Sequence, residues 1–92
     1  MAQVEVTRHL LELFPRLAEV DLAVNGATVA DVVAELEKLA PGFAFYVCDE
    51  LGRVRQHVNI FIGEERICDR RFLTDAVGND SRVLILQALS GG

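Results

Sequence analysis

Two short stretches near the start of the chain alternate polar and apolar residues, which is the period of a half-buried β-strand. They are residues 3–7 and 20–24, and the second is followed by the turn residues Asn25-Gly26. Two aliphatic stretches, 57–62 and 82–87, predict the stronger strands. Between them, Gly63 to Glu65 indicate a hairpin turn into a short strand around residues 66–68. These segments account for five predicted strands.

Helical spacing is clear in one segment, residues 28–39. Thr28 is a favourable N-cap, and Asp31 three positions later completes a capping-box pattern. One apolar stripe follows at helical spacing, and it consists of Val29, Val32, Val33, Leu36 and Leu39. Pro41-Gly42 ends the helix. We expect Leu36 to lie in the core, with Asp31, Glu35 and Lys38 on the other side.

Two segments have no regular period. Residues 10–15 end in a proline and are interpreted as a loop that can include one helical turn. Residues 43–47 fit a short strand or a continued turn of helix equally well. The predicted order is strand, strand, helix and then further strands. One helix has to cover one face of a small sheet, so the fold class is α+β.

Composition and charge narrow the possible functions. The 92 residues are 51% hydrophobic, enough for one dense core, and the formal charge is −5. Nucleic-acid binding would need clustered Lys and Arg, yet the arginines are scattered along the sequence and Arg70-Arg71 is their only adjacent pair. We interpret them as a solvated face and expect no nucleic-acid partner.

Membrane and metal chemistry are not expected either. No apolar run approaches the ~18 residues of a membrane span, and residues 1–5 do not resemble a signal peptide. Cys48 and Cys68 are too far apart for a metal site and too few for a disulfide framework, so they are expected to be reduced thiols in a cytoplasmic protein. His9 and His57 have no neighbouring partner residues in the sequence, and Asp49-Glu50 and Glu64-Glu65 fall in predicted turns. No catalytic residue is therefore predicted, and the chain is expected not to be an enzyme.

The informative segment follows the last strand. Residues 1–87 form the predicted domain, and residues 88–92 form a predicted flexible tail with Leu89, Ser90, Gly91 and Gly92. Fully extended, these five residues reach about 17 Å. Two glycines at the tip can enter a channel too narrow for other residues, and the terminal carboxylate of Gly92 is an oxygen nucleophile.

This arrangement resembles the ubiquitin-like β-grasp proteins, and within them the sulfur carriers ThiS, MoaD and CysO. The resemblance covers the whole chain and is most specific at residues 55–62 and at 83–86, the latter leading to Ser90-Gly91-Gly92. Residues 43–56 look longer than in the thiazole-pathway carriers, which favours the MoaD-like and cysteine-pathway branch. Some relatives carry further residues after the diglycine that are later removed.

The resemblance implies a cycle that other proteins carry out. A ubiquitin-activating-type enzyme would use ATP to adenylate Gly92, a sulfur donor would convert the adenylate into a thiocarboxylate, and a synthase would accept the sulfur. No cofactor would stay bound to the chain. Two alternatives remain open at this point, namely a protein modifier with the same terminus and a noncovalent β-grasp interaction module.

An apolar surface for docking is also predicted. If Val83 and Ile85 face the helix, then Leu84 and Leu86 point away from it, and so does Phe61 on the neighbouring strand. We expect these three residues to form an exposed docking patch beside the tail. The alternative is that residues 43–46 fold over and bury it.

Overall fold

The computed structural model describes residues 1–19 and 21–87. These residues contain a mixed five-stranded sheet with the order β2-β1-β5-β3-β4. The strands are β1 Ala2–Val6, β2 Ala23–Val24, β3 Val58–Ile62, β4 Glu65–Arg66 and β5 Arg82–Gln87. The central pair β1 and β5 is parallel, and the other pairs are antiparallel. Parallel neighbours require a crossover connection, and the main helix lies in it.

Four helices connect the strands within the described ranges. They are α1 Arg8–Leu13, α2 Arg16–Glu19, α3 Val29–Leu39 and α4 Phe43–Val47. The predicted capping box of α3 is present: the Thr28 hydroxyl accepts from the Asp31 N–H at 3.3 Å, and the Asp31 carboxylate accepts from the Thr28 N–H at 3.1 Å. Bonds from the Ala27 and Thr28 N–H groups lower the pKa of Asp31.

One hydrophobic core lies between α3 and the sheet. Four residues of the predicted helical stripe are buried, and Leu39 is partly buried. They pack in one cluster with inward-facing strand residues, namely Val4, Val58, Ile60, Val83 and Ile85. The α+β prediction is confirmed, with one sheet face covered and residues of the other face left exposed or half-buried.

The prediction of a loop with one helical turn at residues 10–15 is met only in part, because residues 10–13 belong to α1, which begins earlier, at Arg8. Leu10 is completely buried, and the Phe14 ring lies edge-on to Phe43 and Tyr46, with centroids 5.4 and 5.7 Å apart. A helix this short is stabilised by such tertiary packing rather than by its own sequence. The open alternative at residues 43–47 resolves as helix α4.

Strand bounds differ in smaller ways from the prediction. The second strand contains only Ala23–Val24, and Val20 lies outside the described residues. The short strand expected at 66–68 is Glu65–Arg66, although the Ile67 N–H still donates to the Ile60 carbonyl at 3.0 Å. The last strand, Arg82–Gln87, has its predicted bounds.

Candidate functional site

The predicted reactive segment lies outside the described residues. Leu89, Ser90, Gly91 and Gly92 all belong to it, so the structure does not test their role. It does place Gln87, five residues before Gly92, at the end of the central strand β5. There Gln87 is the register partner of Val58, the first residue of β3. The end of the sheet at which β5 finishes and β3 begins is therefore where the tail leaves the described fold.

A small polar cluster holds this end of β5. The Gln87 side-chain amide donates to the Tyr46 hydroxyl at 3.0 Å, and the His9 Nε2 atom lies 3.5 Å from the same hydroxyl. Two buried oxygens have no hydrogen-bond partner among the described residues, namely Gln87 Oε1 and Thr7 Oγ1. Side chains from α1, α4 and β5 thus meet at the base of the tail. Sequence reasoning missed the cluster because its members are far apart along the chain.

The predicted docking patch lies on the face of the sheet opposite the core. Phe61 and Leu84 are direct register partners, Leu86 lies opposite Asn59, and all three apolar side chains are half-buried. Phe43 is in the core and Tyr46 packs against it, so these two residues do not cover the patch. The geometry leaves the patch accessible, and its role in docking stays a prediction.

Charged residues flank the patch along one row of register partners. Glu5 of β1 lies beside Leu84, and Arg66 of β4 lies beside Phe61. The Arg66 guanidinium is 5.8 Å from the centroid of the Phe61 ring, within cation–π range. The row therefore has an acidic end, an apolar middle and a basic end.

A basic cleft was not predicted. The arginines are scattered in sequence, but four of them gather around one cavity of about 480 Å³. The cavity is lined by Asp49, Arg53, Val54, Arg55, Gln56, His57, Arg70 and Arg71. The interpretation of the arginines as a solvated face holds for the exposed Arg53 and Arg71, but Arg55 and Arg70 are half-buried and bound to backbone carbonyls. The chain folds back here, because the Val54 N–H donates to the Arg70 carbonyl at 2.8 Å.

Three guanidinium groups of the cleft are held by hydrogen bonds. Arg70 donates to the carbonyls of Arg55 and Val58, each at 2.7 Å. Arg55 donates twice to the Phe45 carbonyl, at 3.1 and 2.9 Å, and Arg53 Nε donates to Asp49 at 3.0 Å. Within the described residues, the Arg71 guanidinium makes no hydrogen bond and His57 is exposed. The cleft therefore combines three hydrogen-bonded guanidinium groups with that of Arg71, which has no such bond within the described residues.

A second, apolar hollow of about 610 Å³ lies between α3, α4 and the loop around Phe72. Phe45 and Phe72 at its rim are 64% and 73% exposed. Cys48 also lines it, and burial raises the pKa of its thiol, with the nearby Asp49 charge adding to the shift. This hollow is the other surface that could contact a partner.

The described ranges contain no candidate metal site, membrane-spanning helix or disulfide bond. No group of three or more metal-ligating residues occurs there, and no helix is long and apolar enough to cross a membrane. Both cysteines are free thiols, Cys48 buried and Cys68 exposed. The Asp49 carboxylate accepts from the N–H groups of Leu51 and Arg53, as expected for a turn residue.

Comparison with solved structures identifies the fold. No protein-family model and no curated protein matches the sequence. A chain of the Amycolatopsis orientalis BexX/CysO complex superposes over 100% of both chains, with a TM-score of 0.81 and 21% identity. Mycobacterium tuberculosis CysO gives a TM-score of 0.79 and 24% identity over 97% of this chain and 100% of that one. SAMP1 from Haloferax volcanii gives a TM-score of 0.73 and 23% identity over 99% of this chain and 98% of that one.

These likenesses extend over nearly the whole chain and concern its architecture. The expected resemblance to CysO-type proteins is confirmed at the level of the fold. The chain has the ubiquitin-like β-grasp fold of CysO and SAMP1.

Proposed function

We propose that this chain is a sulfur carrier whose Gly92 carboxylate is adenylated by a partner enzyme, converted into a thiocarboxylate and used as a sulfur donor. One observation supports the proposal most directly. The segment that contains Gly91-Gly92 directly follows β5, which is the central strand of the CysO-like fold. The chain itself would be a substrate and not an enzyme. The proposal requires that the mature protein ends at Gly92.

The chemistry needs only the carboxylate from this chain. One of its oxygens attacks the α-phosphorus of ATP, pyrophosphate leaves, and a mixed anhydride with AMP forms. A sulfur nucleophile then attacks the carbonyl carbon and expels AMP. Adenylation replaces a poor leaving group by a good one and divides one difficult step into two easier ones. ATP would be bound by the activating enzyme, and no cofactor is assigned to this chain.

The β-grasp domain would supply recognition. Its sheet presents the patch of Phe61, Leu84 and Leu86 beside the end of β5, so a protein docked there can also enclose the tail. Docking holds the Gly92 carboxylate next to the bound ATP, whereas a free small acid would have to meet ATP by a bimolecular collision. It also helps to keep water away from the acyl-adenylate. The proposed partners are a ubiquitin-activating-type enzyme, a sulfur donor and a sulfur-accepting synthase, all in the cytoplasm.

A second candidate function is a protein modifier that forms an isopeptide bond through the same terminus. It is favoured by the likeness to SAMP1, a protein described as a small archaeal modifier. The chain contains one lysine, the exposed Lys38, so chains of conjugated copies could grow only through that residue or the N-terminus. Carrier and modifier differ in the nucleophile that attacks the activated Gly92.

Intact-protein mass spectrometry of the chain purified from its native host distinguishes these functions. A carrier is expected to show a population in which one sulfur replaces one oxygen at the C-terminus. A modifier is expected to appear as conjugates with other proteins. A chain that shows neither form, with residues following Gly92, would contradict both proposals.

The tail gives a first prediction. Deletion of Gly92, or Gly91→Phe, should abolish adenylation in an ATP–pyrophosphate exchange assay with the activating enzyme, because the tip must enter a narrow channel. Gly91→Ala should give an intermediate rate. The melting temperature should stay unchanged, since the expected defect is not in the core. Gly78→Ala is the matched control, because a Cβ at that position meets only Ser81 Oγ at 3.6 Å. Full activity of the deletion variant would end the proposal.

A further inference from the structure

The distribution of charge in this protein is uneven. Its formal net charge is −5, yet four of its nine basic residues line one cleft together with His57, and Asp49 is the single acidic residue of that lining. We infer that the basic cleft docks acidic side chains of a partner protein at the base of the tail. This inference rests on the proposed function, because the partner is the enzyme that encloses the tail.

The position of the cleft supports a protein ligand. His57 directly precedes Val58, and Val58 is the register partner of Gln87, so the cleft borders the end of β5. Residues 88–92 would span about 17 Å from there to Gly92 if a partner enzyme held them extended. A nucleotide reacting at the tip of an extended tail is therefore distant from the cleft. The groups that face the cleft in such a complex belong to the protein around the base of the tail.

The cleft is also prepared for carboxylates. Arg53 and Arg55 are each fixed on one edge of the guanidinium by an acceptor of this chain. Arg70 already donates from both terminal nitrogens to three acceptors and contributes mainly its charge. A guanidinium has five N–H donors in a planar fork, so the free edges of Arg53 and Arg55 can each bind a carboxylate in bidentate fashion. Side chains that are already ordered lose less conformational entropy on binding. Arg71, with no hydrogen bond from its guanidinium within the described chain, is able to follow an incoming group.

The cleft and the docking patch form one continuous surface. Arg70 Nη1 donates to the Asn59 side chain at 3.4 Å, and Asn59 is the register partner of Leu86 in the patch. The surface thus has an apolar centre with a basic margin on the side of the tail. An apolar centre with a polar rim is the usual anatomy of protein interfaces, and rim charges mainly accelerate and orient the encounter. The partner expected here has an apolar area with an acidic margin.

A titration with hexaglutamate peptide tests the cleft without any partner. In ¹H–¹⁵N NMR spectra we expect saturable shifts at the Arg Nε–Hε groups and at His57, and we expect added salt to weaken them. Arg71→Glu should abolish the shifts. Arg8→Glu should leave them unchanged, because Arg8 is also exposed, does not line the cleft and undergoes the same change of charge. Equal shifts in the two variants, or shifts spread over the surface, would overturn the inference. Binding of inorganic pyrophosphate without hexaglutamate binding would do so as well.

A second experiment measures docking in the reaction. With the activating enzyme, Arg71→Glu should raise the KM for this chain about tenfold at low salt with kcat nearly constant, since a rim attraction becomes a repulsion. His57→Glu should act in the same direction, and Arg8→Glu should not. If KM is the same for Arg71→Glu and Arg8→Glu, the inference fails while the carrier function stands. If the wild-type chain is not adenylated at all, the proposed function fails, and the peptide titration still decides the cleft.

Discussion

Phe61 and Leu84 face each other across β3 and β5, on the face of the sheet opposite α3. Both side chains are half-buried rather than fully exposed. Neighbouring apolar side chains of this kind stabilise a strand pair modestly and still offer area to a partner. Val83 and Ile85, the sequence neighbours of Leu84, are buried. Alternate residues of β5 therefore pack in the core or face outward, where a partner could contact them.

The residue-scale prediction is a loss of docking without a loss of fold. Phe61→Asp and Leu86→Asp should each weaken binding to the activating enzyme by more than about 2 kcal/mol, the effect of an unpaired charge in place of a central apolar anchor. The measurement is the KM for this chain at constant enzyme, which should rise about thirtyfold while kcat stays nearly constant. Leu13→Asp is the control, because Leu13 is an exposed apolar residue on α1 and not on the sheet.

Two results would contradict this prediction. Unfolded variants would show that these side chains contribute more to the core than their half-buried positions suggest. Folded variants with normal KM would move docking elsewhere, and the apolar hollow beside Phe45 and Phe72 would be the next surface to test.

At the scale of elements, α3 connects the core with the loop that precedes β5. Its buried side covers the sheet, and its first N–H groups are satisfied by that loop. The Val29 N–H donates to the Asp75 carbonyl at 3.1 Å, and the Ala30 N–H donates to the Leu73 carbonyl at 3.0 Å. A helix start leaves such donors without partners inside the helix. The loop therefore acts as an additional cap, and α3 and the loop are expected to unfold together.

The element-scale prediction concerns Leu36, which is completely buried on α3. Leu36→Ala should lower the free energy of unfolding by about 2–5 kcal/mol, because it removes apolar contacts and leaves a cavity. Urea denaturation followed by circular dichroism is the measurement. Leu51→Ala is the matched control, since Leu51 is 71% exposed and should change the stability little. Equal effects of the two substitutions would mean that α3 is rotated about its axis.

The sequence predicted those elements whose stability is encoded locally. The capping box of α3 and the aliphatic runs of β3 and β5 are local signals, and these elements lie where they were expected. Helix α1 was predicted only in part because it spans only six residues, too few for a clear period, and because it depends on distant contacts of Leu10 and Phe14. The same reason explains why residues 43–47 could not be assigned.

At the scale of the whole molecule, long-range contacts create surfaces that spacing does not reveal. Arg53 and Arg70 reach the same cleft through one backbone hydrogen bond, from the Val54 N–H to the Arg70 carbonyl. Arg70-Arg71 is the only adjacent arginine pair in the sequence, and the spacing does not indicate that Arg53 and Arg55 line the same cleft. By contrast, the alternation in β5 was sufficient to separate core residues from outward ones. The patch was therefore accessible to sequence reasoning, and the basic cleft was not.

Acid sensitivity is a property of the whole molecule that follows from its carboxylates. Asp69 accepts from the Thr74 hydroxyl at 2.6 Å and from the Phe72 N–H at 3.0 Å, and these bonds lower its pKa below the ordinary value of 3.8. Asp75 accepts from the N–H groups of Cys68 and Asp69 at 2.9 and 2.8 Å, and its pKa is lowered as well. Both carboxylates hold the loop that caps α3, so their protonation links pH to global stability.

The final prediction is a stability that falls at acidic pH and depends on Asp69. Because the folded-state pKa is lowered, the unfolded chain binds protons more readily. The contribution of the carboxylate is therefore complete above about pH 4 and lost as the pH falls through the folded-state pKa. The urea midpoint should be constant near pH 7 and decrease below pH 4. Asp69→Asn should lower the midpoint at pH 7 and flatten its decrease at acidic pH, because the amide nitrogen cannot accept these bonds. Asp80→Asn, in an exposed turn, should retain the wild-type profile. An unchanged decrease in Asp69→Asn would mean that other carboxylates determine the acid sensitivity.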